Sequence, residues 1–184
     1  MEKEPPSARI LDVATRLFYR NGIQATGVGE LVDTAGVSKR TLYQLFGSKD
    51  DLVTAYLRRV SAHGLSGERN LDRADRSPRE RLLGLFDRPT TKIEFRGCPL
   101  HNAAVELPAV DHPAHQVIVE HKRAVLDKIV AIGHEAGARD PELLGRQLIT
   151  LYEGATALGT TLHDYNSFDS ARSAAEVLID HAGL

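Results

Sequence analysis

The chain has 184 residues, 42% of them hydrophobic and 26% charged, with a formal net charge of −2 at pH 7. This composition is too apolar for a disordered chain. It also lacks any apolar run long enough to span a membrane, and its near-neutral charge argues against indiscriminate binding to nucleic acid. The single cysteine, Cys98, cannot form an internal disulfide, and "MEKEPPSARI" lacks the basic start and apolar core of a signal peptide, so the expected location is cytoplasmic.

In chain order the pattern is helical nearly throughout. "SARILDVATRLFYRNG" sets Ile10, Leu11, Ala14, Leu17 and Phe18 on one stripe, started by Pro5, Pro6 and Ser7 and stopped by Gly22. "TGVGELVDTAG" repeats the device with Val28, Leu31, Val32 and Ala35, closed by Gly36. Ser38 can cap a third helix that turns Leu42 and Phe46 inward. Ser48 and Asp51 then have the spacing of a capping box for a helix running to about His63.

"LSGERNLDRADRSPRE" reads as a loop, after which Ser77 and Pro78 open a helix to about Phe86. A turn-rich stretch continues through Gly97. "PLHNAAVEL" forms a short helix between Pro99 and Pro108. The next helix is long, with Ile118, Val125, Ile129 and Ile132 on one side and Gly137 at its end. Asp140 and Pro141 start another, carrying Leu144, Leu148, Leu151, Ala155, Leu158 and Leu162, and a last helix covers about Ser170–His181. No repeat and no convincing strand interrupts this all-α pattern.

The segment "GVSKRTLYQLF" carries the first functional signal. Two short helices meeting at "AGVS" fit a helix-turn-helix, with Gly36 in the turn and Val37 in the angle. In such a unit the second helix enters the major groove by its N-terminal end, here Ser38, Lys39, Arg40 and Thr41. Arg and Lys can donate to guanine, the Thr methyl can touch thymine, and Tyr43 and Gln44 can reach phosphates or base edges one turn later. Lys49 places a cation in the first turn of a helix, which the macrodipole disfavours unless an anion docks there. Charge agrees weakly: residues 1–62 hold 9 Lys/Arg against 7 Asp/Glu, and residues 63–184 hold 14 against 18. Glycine turns between amphipathic helices are common and Lys-Arg pairs are often plain surface, so spacing alone leaves both readings open.

Residues 8–57, above all "LFYRNG", "AGVSKRTLYQLF" and "SKDDL", closely resemble the N-terminal domain of TetR-family transcriptional regulators. The resemblance implies a helix-turn-helix domain at 1–55 and an all-helical ligand-binding and dimerisation domain at 56–184. It further implies that Ser38, Lys39, Arg40, Thr41 and Gln44 face DNA, that Tyr43 and Lys49 contact phosphates, and that Thr26 and Gly27 form the phosphate-facing start of the second helix. Gly27 stands where a hydroxyl residue is frequent, Gly29 where a basic residue often sits, and Val32 where alanine is usual; the two glycines weaken the expected backbone contacts. "FRGCPLHNAAVELPAVDHPAH" and "AGARDPELLGRQLITLYEGA" resemble the regulatory domain of one subgroup.

The implied function is a ligand-responsive regulator, a repressor by expectation, that binds a palindromic double-stranded DNA operator as a homodimer and is released by a small-molecule effector. It implies neither cofactor nor membrane, and no enzymatic activity. One recognition helix reads few base pairs, so a two-fold dimer is also physically apt. The expected dimer face is Leu151, Ala155, Leu158, Gly159, Leu162, Ala171, Ala174, Ala175 and Leu178, with packing inside one subunit as the alternative. Polar groups on otherwise apolar helices mark candidate pocket positions: His101, Asn102, Glu106, His121, Tyr152, Glu153 and Thr156. For each, surface exposure or an internal hydrogen bond is an equal alternative.

Two other chemistries arise from the sequence. His112 and His115, with Glu120 and His121 nearby, have metal-compatible spacing but lack a placed third ligand, so no metal site is assigned. Cys98 and His101 suggest a cysteine-dependent redox sensor or enzyme, against the ordinary role of a buried cysteine as a small hydrophobe.

Overall fold

The structure is a computed structural model that describes residues 5–89 and 95–184. Part of the turn-rich stretch expected before Gly97 lies at 90–94, outside the described residues. Among the described residues all regular structure is helical: α1 (Pro6–Asn21), α2 (Val28–Ala35), α3 (Lys39–Phe46), α4 (Lys49–His63), α5 (Pro78–Gly84), α6 (Pro99–Glu106), α7 (Pro113–Ala136), α8 (Pro141–Leu162) and α9 (Asn166–Ala182). The expected all-α class is therefore observed. Packing divides the chain into two compact units, one of Met1–His63 with Pro99–Val119, the other of Gly64–Cys98 with Glu120–Leu184. Helix α6, expected on sequence grounds in a second domain beginning at residue 56, thus packs with the N-terminal helices. Its Leu100 and Ala103 are fully buried, and α6 lies against α4.

In the first unit, α1 buries Ile10, Ala14 and Phe18, α2 buries Leu31 and Val32, and α4 buries Leu52, Val53, Tyr56 and Leu57. The Phe18 and Tyr56 rings meet at 5.5 Å, joining α1 to α4. α2 ends at Gly36, whose φ of 64° and ψ of 43° are left-handed; there the Gly36 and Val37 amides return to the Val32 carbonyl. α3 starts one residue later, with the Ser38 Oγ accepting from the Thr41 amide at 3.0 Å. Only Leu42 of α3 is fully buried; Phe46 is half-buried. A two-turn helix is too short to persist alone, so its cap and its Leu42 anchor hold it to the frame.

The second unit contains a short helical turn that the sequence pattern does not reveal. Glu68–Asp72 forms a 3-10 turn inside the segment expected to be a loop. Its Leu71 is buried, and its Glu68 carboxylate accepts from the Leu65 amide at 2.9 Å, which closes the turn despite the polar composition. α5 then begins with a complete capping box between Ser77 and Glu80. α8 begins on Asp140, which accepts from the Leu143 amide at 2.9 Å. The core combines Leu82, Leu85 and Phe86 with Val125, Ile129 and Ile132 of α7, Leu144 and Leu148 of α8, and Ala175 and Ile179 of α9. α9 starts at Asn166 rather than near Ser170, because Phe168 is a buried core residue and draws the first turn into the packing.

Gly67 is fixed by close approach. A Cβ there would lie 2.2 Å from the Leu85 carbonyl oxygen, a backbone atom that cannot swing away. Gly67→Ala is expected to destabilise the second unit by about 1–3 kcal/mol, as overpacking does, read as a lowered urea midpoint.

Candidate functional site

Opposite Leu42, α3 presents Lys39, Arg40, Tyr43 and Gln44 on its exposed face. Positions 40, 43 and 44 are neighbours at i+3 and i+4, so these side chains form one patch. Thr41 is half-buried, and its hydroxyl bonds the Ser38 hydroxyl at 2.8 Å. The Ser38 oxygen is therefore occupied by the cap, while Lys39 and Arg40 extend beyond it. Tyr43 is 46% exposed, unusual for an aromatic ring in a unit that buries Phe18 and Tyr56 almost completely.

Two expected members of this surface are placed differently. The Thr26 side chain is fully buried, and its hydroxyl donates to the Gly22 carbonyl at 2.7 Å, so it braces the α1–α2 turn and is not on the exposed face. Lys49 is half-buried and donates from Nζ to the Ile23 carbonyl at 2.7 Å. That bond gives the cation an internal reason to stand in the first turn of α4, where the macrodipole disfavours it. An ammonium has three donors, so this bond leaves the lysine further capacity. Gly27, the residue preceding α2, is exposed, and added Cβ atoms at Gly27 and Gly29 would meet nothing within 4 Å. Neither glycine is therefore required by packing.

The α1–α2 turn carries a contact that no local pattern could show. The Glu106 carboxylate, at the end of α6, accepts from the Gln24 amide at 2.9 Å, across 82 residues of sequence. It also packs against Gly22, where a Cβ would approach the carboxylate to 3.1 Å. Glu106 is thus committed to a brace, not offered to a pocket. On the same helix His101 is exposed and Asn102 half-buried.

Within the second unit, His121 and Glu68 form a buried pair at 3.2 Å, each about 5% exposed. Burial would push the Glu68 carboxyl up, but the His121 ring and the Leu65 amide outweigh it and hold it below its ordinary value. Lys122 pairs with Glu153, and its Nζ lies 3.5 Å from the Cys98 sulfur. Burial would lower the Lys122 ammonium, but Cys98, Glu153 and Glu68 raise it on balance. Of the expected pocket residues, His121 is therefore paired in the interior and Glu153 is paired while still partly exposed. The His112/His115/Glu120/His121 cluster does not assemble: among the described residues no three such side chains gather to hold a metal. Cys98 itself is 1% exposed.

Tyr152 and Thr156, both expected pocket residues, line a cavity. Its volume is about 210 Å³, and its other walls include Gly67, Phe95, Gly97 and Phe168. The Thr156 Oγ1 is buried and has no hydrogen-bond partner among the described residues.

The outer face of α8 and α9 is apolar. Leu158 and Leu162 are 51% and 60% exposed, and with Leu151, Gly154, Ala171 and Ala174 they line a shallow groove of about 470 Å³. Much of the expected dimer set also packs within the chain itself. Ala155, Ala171 and Ala175 are buried in the chain's own core, Leu151 and Leu178 are half-buried, and Gly159 admits the Phe168 ring, where a Cβ would lie at 3.1 Å. Gly159 thus serves an approach within the chain, between α8 and α9.

Residues 10–56 match the tetR family of bacterial regulatory proteins. A crystal structure of a candidate TetR transcriptional regulator from Streptomyces avermitilis is 36% identical, with a TM-score of 0.79 over 94% of this chain and 99% of that one. The chain belongs to the TetR family. A second TetR-family regulator, from Streptomyces coelicolor, is 27% identical with a TM-score of 0.86 over 97% and 96% of the two chains. Among curated TetR-type relatives, the transcriptional activator FasR of Mycolicibacterium smegmatis is 37% identical over 45% of this chain and 37% of its own length. The transcriptional repressor KstR2 of Mycobacterium tuberculosis is 34% identical over 52% and 46%. The chain thus matches less than half the length of these two relatives. As a TetR-family protein it has its family signature in the frame that holds α3, from Ile10 to Tyr56. Among the described residues no helix is long and apolar enough to cross a membrane.

Proposed function

We propose that this chain is a transcriptional repressor that binds a palindromic operator as a homodimer and is released by a small molecule. The observation that carries the reading is the exposed polar patch of Lys39, Arg40, Tyr43 and Gln44 on a helix anchored by Leu42 and capped by Ser38. A patch of guanidinium, ammonium, amide and phenol on a helix of this position suits base edges and phosphates in a major groove. Residues 1–55 act as the DNA reader, with Lys39, Arg40 and Gln44 facing bases, Tyr43 and Lys49 facing phosphates, and the backbone around Gly27 near the DNA. Residues 56–184 carry the effector site and the dimer face.

The exposed Leu158 and Leu162 support the dimer, since apolar side chains at that groove lose water-exposed area when a second copy covers them. The effector acts by population shift: it binds better to a state whose two recognition helices are wrongly spaced for DNA, and it shifts the equilibrium only by that difference in affinity. Glu106 supports transmission of the change, because it ties the end of α6 to the turn that precedes α2.

The dimer makes the clearest test. Leu158→Arg is expected to give a monomer in sedimentation and to weaken binding to a palindromic duplex by roughly a hundredfold, the scale of linking two half-sites. A variant that remains dimeric with full affinity would place the interface elsewhere.

A further inference from the structure

We infer that the cavity beside Thr156 takes a compact, uncharged ring compound bearing one hydrogen-bonding group, an assignment that rests on the ligand-released reading above. Size sets the first limit. A cavity of about 150 Å³ suffices for benzene, so about 210 Å³ holds a single ring with a few further atoms.

The walls set the second. Phe95 and Phe168 meet at 5.9 Å and 73°, and Phe168 also packs edge-on against Tyr165. Tyr152 is itself edge-on to Phe86. A ring entering between Tyr152 and Phe168 would join these tilted contacts, which add to the burial of its faces.

Polarity sets the third. Thr156, whose buried hydroxyl has no hydrogen-bond partner among the described residues, is one of the residues lining this cavity. Leaving a buried hydroxyl unpaired is costly, and a ligand group that donates to it or accepts from it removes the cost.

Charge sets the fourth. Asp87 at the rim is already held by Arg172 at 3.2 Å and by Asn70 at 3.1 Å. Arg69 is exposed and donates to the Gly64 carbonyl. Tyr152 is kept protonated by burial and by the nearby Glu68, Cys98 and Glu153. With Asp87 and Arg69 engaged by the protein itself, a charged ligand would be desolvated there without a dedicated counter-ion.

The test titrates phenol, toluene and benzoate into the full chain by calorimetry, with the isosteric variant Thr156→Val alongside. Phenol is expected to bind, and Thr156→Val to weaken it by about two- to tenfold, the worth of one hydrogen bond, while leaving toluene unchanged. Thr156→Val should fold at least as well as the parent, because it removes an unpaired buried hydroxyl. Benzoate binding as tightly as phenol would overturn the assignment, as would phenol binding that ignores Thr156→Val or the failure of all three probes to bind. Repeating the titrations on the protein bound to its selected duplex separates the two claims. Phenol bound through Thr156 with no change in DNA affinity would sink the ligand-released reading and keep the cavity's assignment. Release of DNA by charged compounds alone would do the reverse.

Discussion

Glu68→Ala is expected to cost about 2–4 kcal/mol of stability, because it strips the shared acceptor from two hydrogen-bonded groups and an unsatisfied buried group costs about 1–3 kcal/mol. The variant leaves the His121 ring buried without its carboxylate and also strips the acceptor from the Leu65 amide. Urea denaturation at neutral pH checks it, and Glu68→Gln should lose less because an amide oxygen can still accept. The same pair fixes a pH response. The folded state holds the Glu68 carboxyl below its ordinary value of 4.5, so it binds fewer protons there than the unfolded chain. The stabilisation is therefore complete above about pH 4.5 and drains away as pH falls through the depressed value. In Glu68→Gln this part of the acid sensitivity should vanish. An unchanged acid profile would show that the pair contributes nothing to it.

Arg40→Ala is expected to cost about 1–3 kcal/mol of DNA affinity in each half-site and to relax preference at one base position, the effect of losing a bidentate contact. Arg40 is exposed and α3 is anchored through Leu42, so the variant should fold normally. Circular dichroism and urea midpoints check the folding, and binding to duplexes varied at single positions checks the preference. If affinity and preference both survive, Arg40 does not read bases. Lys49 cannot serve as the equivalent test of a phosphate contact. Its bond to the Ile23 carbonyl means that truncation would loosen the joint between α4 and the α1–α2 turn as well.

These two expectations differ in how far they were visible in the sequence. The Arg40 surface was legible because every feature that builds it is local. Gly36 marks the turn, Ser38 the cap, and Leu42 the inward face, all within seven residues. The caps at Ser77 and Asp140 were legible for the same reason. The Glu68–His121 pair was not, because its partners stand 53 residues apart and each lies among charged neighbours that read as surface. The Glu106 brace spans 82 residues and was hidden likewise. Its signal, a carboxylate following the apolar and small residues Ala103, Ala104 and Val105, pointed equally well to a ligand pocket.

Thr26 is a third kind of case. A hydroxyl just before a helix is normally an exposed cap, but here α2 begins two residues later, and the Thr26 side chain turns back to the Gly22 carbonyl. Periodicity could not reveal that choice, because it depends on how tightly the α1–α2 turn closes. On α8 the regular leucine stripe was legible, but its division was not. Leu144 and Leu148 face the chain's own core while Leu158 and Leu162 remain exposed, as the partner helix α9 covers only part of the stripe.

Selection of binding sites from a random duplex pool, followed by affinity against salt for the duplex recovered, tests operator binding by the dimer most directly. A dimeric reader is expected to recover a palindrome with two half-sites about one helical turn apart or a small multiple of it, with an affinity that falls steeply with salt as phosphate contacts release counterions. Recovery of no preferred sequence at any salt, from a chain shown to be folded and dimeric, would contradict operator binding.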